Sequence, residues 1–307
     1  MSEQHLHAID LRRRRLLGAA AVATGLWMCP LRGPRAELLV HTTGEIVPPI
    51  GLGSWITFNV GDDAELRDDC AAVIGEFFAL GGRLIDSSPM YGSSQAVIGH
   101  ALRKLDRQRD LFAADKVWTG DRDGRTQIEQ SRRHWSVPRF DLLQVHNLLG
   151  VEHHLATLRE MKQSGQLRYV GITTSEGRRH DEIERLLKNE PLDFVQFTYN
   201  ILDREVEQRL LPLATERGVR VICNRPFRQG ILIDALRNKP LPPWAGEIDC
   251  TNWAQFLLKF IISHPAVTCA IPATSQVAHV RENMGAAHGR MPDAAMRQRM
   301  IAYVEAL

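Results

Sequence analysis

The strongest constraint in this sequence is a repeated change of texture. Eight short apolar runs alternate with longer segments of helical periodicity over about 270 residues from Glu37, with no interior linker. The runs are Ile50–Gly53, Arg83–Asp86, Leu111–Val117, Asp141–His146, Tyr169–Thr173, Phe194–Phe197, Val219–Cys223 and Val267–Ile271. Between them lie Leu66–Leu80, Ser94–Leu105, Thr126–Trp135, His153–Gln163, His180–Lys188, Val206–Arg217 and Trp253–Ser263, where apolar residues return every three or four positions. Gly81-Gly82, Gly165 and Gly218 follow helical segments as stop signals. Parallel strands need a crossover segment, usually a helix. Eight strand-and-helix units in one unbroken body predict an α/β fold, a (β/α)8 TIM barrel. A doubly wound sheet is the alternative, but its G-x-G-x-x-G fingerprint is missing: Gly51-Leu52-Gly53-Ser54-Trp55-Ile56 stops after two glycines. Leu38–His41 and Glu45–Val47, around Thr43-Gly44, read as an N-terminal β-hairpin placed to close the bottom of the barrel. The chain thus divides into a leader, 1–36, and one barrel, 37–307.

Charge separates the same two parts. The 307 residues carry a formal net charge of +2. The leader holds Arg12, Arg13, Arg14, Arg15, Arg32 and Arg35 against Glu3 and Asp10, so it is +4 and the body −2. No basic surface on the body points to nucleic acid. Behind the arginines runs an apolar stretch, Leu16–Met28, too short for a stable membrane span and suited to the apolar region of a secretory signal. Arginine pairs followed by Leu16-Leu17 resemble a twin-arginine signal, which exports folded proteins. The expected partner of the leader is therefore an export machinery, and the expected location periplasmic or otherwise exported; a basic tail retained in the cytoplasm is the alternative. The five cysteines (Cys29, Cys70, Cys223, Cys250 and Cys269) form no C-x-x-C pair and are expected as buried single thiols. His153-His154 lacks neighbouring metal ligands and reads as solvated helix surface, so no metal is expected.

Catalytic groups of such barrels sit at the C-terminal ends of the strands. Asp86, Lys116 and His146 each end a strand-like run, and Tyr91 follows Asp86 in a turn-rich loop. The fold would gather all four at one mouth. A lysine ammonium beside a tyrosine favours the phenolate and is expected to lower its pKa. Asp86 would hold Lys116 charged, and His146 would orient a carbonyl or share its proton. The set suits protonation of an oxygen while hydride reaches the adjacent carbon.

Ile85-Asp86-Ser87-Ser88-Pro89-Met90-Tyr91-Gly92-Ser93-Ser94, Asp115-Lys116-Val117-Trp118 and Asp141-Leu142-Leu143-Gln144-Val145-His146 together resemble the aldo-keto reductase signature. The resemblance runs from about Glu37 to Asn283. It implies a (β/α)8 barrel that takes NADPH, with NADH as the alternative, and reduces a small carbonyl substrate. It makes Tyr91 the general acid/base, tuned by Lys116 and Asp86, with His146 orienting the carbonyl. By the same resemblance Gln196, Thr173 and Thr174 would hold the nicotinamide carboxamide, Asn224 would meet the cofactor at the end of the seventh strand, and Arg225, Pro226 and Phe227 would run along the pyrophosphate. Thr274, Ser275, His279, Glu282 and Asn283 would meet the adenosine phosphate, and Gly53 and Ser54 would complete the cofactor cleft. Thr274 and Ser275 precede a helix N-terminus, where free N–H groups suit an anion. Trp55, Phe58 and Trp118 would line the substrate pocket.

The sequence departs from the family pattern at two places. Asn224 stands where relatives often stack an aromatic ring under the nicotinamide, and Ala273 and His279 stand where a 2′-phosphate is often met by Lys and Arg. Two other readings stay open on sequence alone. One is an exported barrel that serves as a binding or assembly protein; the other is an isomerase or lyase working without nicotinamide. Export also has a consequence for a reductase: its cofactor would have to cross in the folded protein.

Overall fold

A computed structural model describes residues 47–307. The leader, with Cys29, and the expected hairpin lie outside these residues, apart from Val47, which packs with the barrel interior. The elements in order are β1 (Leu52–Gly53), α1 (Ala64–Ala79), β2 (Leu84–Asp86), α2 (Ser94–Leu105), β3 (Phe112–Val117), α3 (Arg125–Trp135), β4 (Phe140–His146), α4 (Val151–Gln163), β5 (Leu167–Thr173), α5 (His180–Asn189), β6 (Phe194–Thr198), α6 (Leu210–Glu216), β7 (Arg220–Asn224), α7 (Ile231–Leu236), α8 (Trp253–Ile262), β8 (Cys269–Ala270), α9 (Val277–Gly285) and α10 (Ala294–Glu305). The strands form one parallel sheet in sequence order. The last strand returns to the first: Gly51 N–H donates to Ala270 O at 2.8 Å, Gly53 N–H to Pro272 O at 3.0 Å, and Ala270 N–H to Pro49 O at 2.9 Å. The sheet therefore curls into the expected eight-stranded (β/α)8 barrel. Gly53 is required at this closure, because a Cβ there would lie 2.9 Å from the Ile271 carbonyl oxygen.

All eight strand-like runs became strands within a few residues of their expected bounds, since each is a short β-branched or apolar run between turn residues. The helical reading differs in three places. Val206–Arg217 splits into a 3-10 turn at Glu205–Glu207 and α6, because Pro212 has no N–H to donate back and its ring crowds the preceding turn. Helices α7 and α10 were not expected. Asp293 caps α10 by accepting from Met296 N–H at 2.8 Å, and the helix buries Met300, Ile301 and Val304.

Strand alternation divides the apolar residues into two layers. Outward-facing residues such as Ala113, Leu143, Val170, Val195 and Val221 pack against the helices in the larger cluster. Inward-facing Leu84, Phe112, Leu142, Tyr169, Phe194, Ile222 and Cys269 fill the barrel. Phe112 and Tyr169 stack with centroids 5.9 Å apart, and Phe194 meets Tyr169 edge-on at 5.5 Å. Burying each such ring stabilises the fold by about 1.5–3 kcal/mol. Further along the same faces the inward positions turn polar: Asp86, Lys116, Gln144, His146, Thr173, Gln196 and Asn224. One end of the barrel is thus a packed apolar plug, and the C-terminal end is a polar floor.

The described cysteines are free and buried, as expected. His154 corrects the surface reading of the histidine pair. It is 1% exposed, and its Nε2 lies 3.1 Å from Thr119 O, tying α4 to the loop after β3. Its neighbour His153 is exposed. Among the described residues no helix is long and apolar enough to cross a membrane, and no group of three His, Cys, Asp or Glu could hold a metal ion.

Candidate active site

The polar floor opens into a cavity of about 630 Å³, within the range of small-molecule sites. At one end Asp86, Tyr91 and His146 line it; Thr274, His279, Glu282 and Asn283 line the other. Lys116 lies beneath the first end, and its Nζ donates to Asp86 Oδ2 and to Ser87 O at 2.7 Å. Both members of this ion pair are buried. Asp86 Oδ1 also accepts from Gln196 Nε2 at 3.0 Å and Gln144 Nε2 at 3.3 Å, so the carboxylate is held by three side chains. A buried ion pair needs such added donors, because its mutual attraction alone does not reliably offset lost hydration.

The ammonium of Lys116 sits 5.1 Å from the centre of the Tyr91 ring, and the Tyr91 and His146 rings meet edge-on at 5.8 Å. The four residues expected to act together are therefore brought together. The electrostatics differ from expectation at Tyr91. Burial raises its pKa above the ordinary phenol value, and the lowering by Lys116 does not overcome it. Tyr91 keeps its proton at neutral pH, which suits a donor. Burial alone would lower Lys116, but Asp86 and Tyr91 outweigh it, and the ammonium stays charged. Burial, aided by Lys116, lowers His146 to about 3. His146 is therefore a neutral imidazole across the physiological range, able to orient an oxygen but poorly able to take up a further proton.

Three side chains here went unassigned on sequence. Gln144 lies two positions before His146, so strand alternation alone puts it on the same inward face. Ser88 contacts His146: its Oγ lies 2.8 Å from Nδ1. Asp115, on the outward face of β3, is wholly buried, with Oδ2 accepting from Gln95 Nε2 at 2.7 Å and Oδ1 from Lys116 N–H at 2.8 Å. Burial, against the pull of Lys116, raises Asp115 from 3.8 to about 7. Between those values the native protein keeps a proton that the unfolded chain has released, so this residue's contribution to stability falls as pH rises from about 4 to 7. His146 and His264, both lowered by burial, act in the opposite direction. Subtracting the stability curve of Asp115→Asn, in which Gln95 can turn its amide over, from that of the wild type isolates the effect. The difference is expected to decline with pH across this window in chemical denaturation; a flat difference would reject it.

The expected cofactor positions follow the cavity wall. Gly53, Ser54, Thr173, Thr174, Gln196, Asn224, Arg225, Pro226 and Phe227 all line it. Thr173 Oγ1 donates to Gln196 Oε1 at 2.8 Å. Ser54 Oγ is used within the fold, donating to Asp86 O at 3.0 Å. Asn224, in the place of the aromatic ring, donates to Thr174 O and accepts from Thr198 Oγ1, both at 2.8 Å. Arg225 pairs with Glu176 at 2.7 Å across the gap between the β5 and β7 loops. Arg225, Arg228 and Gln229 all take positive φ, and the ion pairs of Arg225 with Glu176 and of Arg228 with Asp203 anchor this strained loop. At the far end α9 begins where the sequence placed a helix N-terminus, and Thr274 Oγ1 accepts from Gln276 N–H at 3.0 Å and lies 3.4 Å from His279 Nδ1.

Three expected wall residues lie elsewhere. Phe58, in the loop after β1, is fully buried in the core between barrel and helices. Trp118 is half-exposed outside the cavity, its backbone N–H held by Gln127 Oε1 at 2.6 Å. Ser275 is exposed and is not among the residues of the wall. Trp55 does line the mouth, joined there by Ile56 and Met90.

The cavity can accept an extended ligand that carries an amide at one end. Thr174, on its wall, keeps a buried hydroxyl with no partner among the described residues, next to the Gln196 and Thr173 amide and hydroxyl pair. A nicotinamide carboxamide would satisfy such a group, so the donor set fits a nicotinamide dinucleotide.

Residues 49–301 match the sequence profile described as "Aldo/keto reductase family". Methylglyoxal reductase YeaE of Escherichia coli is 27% identical over 256 residues, covering 80% of this chain and 88% of its own. An NADH-specific methylglyoxal reductase of Escherichia coli is 28% identical over 236 residues, covering 67% of this chain and 72% of its own. Among solved structures, an aldo/keto reductase from Klebsiella pneumoniae in complex with NADP and acetate superposes with a TM-score of 0.74 at 22% identity, over 87% of this chain and 95% of its own.

Proposed function

The chain belongs to the aldo/keto reductase family, and from that premise we propose that it reduces small aldehydes or ketones to alcohols with NADPH, or alternatively NADH. The observation that carries this reading is the Lys116 ammonium, set between the Asp86 carboxylate and the Tyr91 ring at one end of a single long cavity. Nicotinamide, when bound, supplies hydride to the carbonyl carbon. Gln196, Thr173 and Thr174 would hold its carboxamide, and Arg225–Phe227 would flank the pyrophosphate. Tyr91 gives its proton to the carbonyl oxygen as negative charge develops there. Lys116 stabilises the phenolate left behind, and Asp86 keeps Lys116 in place. His146, neutral, directs the oxygen toward Tyr91. Trp55, Ile56 and Met90 at the mouth favour a carbonyl compound with an apolar body. The two relatives named for methylglyoxal make that compound the first substrate to try.

The choice between cofactors rests on the adenosine end. His279 and Thr274 are the groups there that can meet a 2′-phosphate, with Ala273 contributing no charge. The leader, 1–36, is proposed as a twin-arginine export signal and 37–307 as the exported barrel, on the arginine run and the apolar stretch behind it.

Fluorescence titration of the full chain with NADPH and NADH tests the reading, followed by cofactor oxidation with an aldehyde panel that includes methylglyoxal. Binding with turnover supports it. No binding by a folded protein rejects it, and binding without turnover of any carbonyl favours a binding or assembly role. The same assay on separated periplasm and cytoplasm tests the address: activity confined to the cytoplasm would reject export.

A further inference from the structure

Ser88 belongs to the loop after β2, and His146 ends β4, 58 residues later. The Ser88 hydroxyl is wholly buried and lies 2.8 Å from His146 Nδ1. It also accepts from Met90 N–H at 3.3 Å. Among the described residues Nδ1 is the one acceptor within reach of the hydroxyl proton. A buried hydroxyl that gives its proton to no acceptor is costly, by about 1–3 kcal/mol. The proton therefore points at Nδ1, and Nδ1 is the bare nitrogen of the ring. His146 is a wall residue, and its Nε2 has no partner among the described residues yet is open to the cavity. A neutral imidazole carries one proton, so that proton sits on Nε2.

We propose that Ser88 is a positioning residue that fixes the Nε2–H tautomer of His146, so that the ring presents a donor to the carbonyl oxygen. The relay runs from Met90 N–H to Ser88 Oγ–H to His146 Nδ1, and ends with Nε2–H at the reacting oxygen. The lowering of His146 by burial and by Lys116 supports it, because an imidazolium would carry protons on both nitrogens and need no such selection. The catalytic consequence rests on the carbonyl-reduction reading; the tautomer does not.

Nitrogen-15 NMR of the histidine rings in the full chain at neutral pH tests the assignment. The wild type is expected to show His146 with bare Nδ1 and protonated Nε2. In Ser88→Ala the ring is expected to sample both tautomers, and kcat to fall about tenfold with cofactor KM unchanged. Ser88→Thr, which keeps the hydroxyl, is expected to restore the nitrogen pattern and most of the rate. A wild-type ring protonated at Nδ1 overturns the proposal. So does a Ser88→Ala ring with the wild-type pattern, whether or not kcat falls, since a fall would then reflect packing. If the wild type reduces no carbonyl, the function reading fails and the nitrogen pattern still decides the Ser88–His146 assignment.

Discussion

Tyr91→Phe is expected to lower carbonyl reduction by about 10²–10⁴-fold while cofactor affinity stays within about twofold. The substitution removes one oxygen and leaves the ring that packs edge-on against His146 and lies 5.1 Å from the Lys116 ammonium. The size of the expected loss follows from the role proposed for Tyr91. Hydride transfer leaves negative charge on oxygen, and among the wall residues at this end Tyr91 holds a proton that Lys116 makes easier to give up. His146 is an inefficient substitute: with its pKa at about 3 it is seldom an imidazolium at neutral pH, and giving up the proton of a neutral ring would create an imidazolate. Steady-state rates with a reducible aldehyde, beside a fluorescence titration of NADPH, separate the two effects. Retained turnover would reject Tyr91 as the acid. A matching loss of cofactor affinity would assign it to binding.

Lys116→Met is expected to abolish turnover and also to destabilise the fold by about 3–5 kcal/mol. Methionine fills much the same volume, but it leaves the Asp86 carboxylate buried with two amides, Gln144 and Gln196, as its remaining side-chain donors. Removing the charge from both partners should be far milder. The double variant Asp86→Asn with Lys116→Met is expected to regain most of the lost stability without regaining activity, because the Tyr91 phenolate still has no cation beside it. Urea denaturation of the two single variants and the double variant measures the coupling directly. Additive losses would show that the ion pair is not a unit. A stable single Lys116→Met variant would show that Asp86 is solvated well enough without it.

Much of the site was legible in the sequence because strand alternation is local. Once the run ending in His146 is read as a strand, Gln144 must share its face; likewise Thr173 and Gln196 must face inward with Lys116. The (β/α)8 order follows from eight strand-like runs separated by segments long enough for a crossover, and the motifs around Asp86, Lys116 and His146 named the family. Strand alternation does not reach the placement of single side chains in loops. Phe58 and Trp118 lie within five residues of a strand end, where one side chain is drawn into the core and the other chain segment is held by the Gln127 amide. Ser275 turned out to face solvent at the start of a helix whose position was right. The burial of His154 is not legible locally, because its partner, Thr119 O, is 35 residues away.

The sequence by itself determined the number and order of the strands, the inward polar face at their C-terminal ends, and the gathering of Asp86, Tyr91, Lys116 and His146 there. Period-two alternation and turn residues act within a few positions, so one chain is enough to read them. Only the tertiary structure decided the protonation of those groups and their couplings. Lys116 alone would lower Tyr91, yet burial raises it; Asp115 looks ordinary in sequence, yet burial raises it to about 7. Asp86 meets Gln196 across 110 residues, and Ser88 meets His146 across 58. Desolvation and hydrogen bonding depend on what surrounds a group in space, which is settled only when the barrel closes.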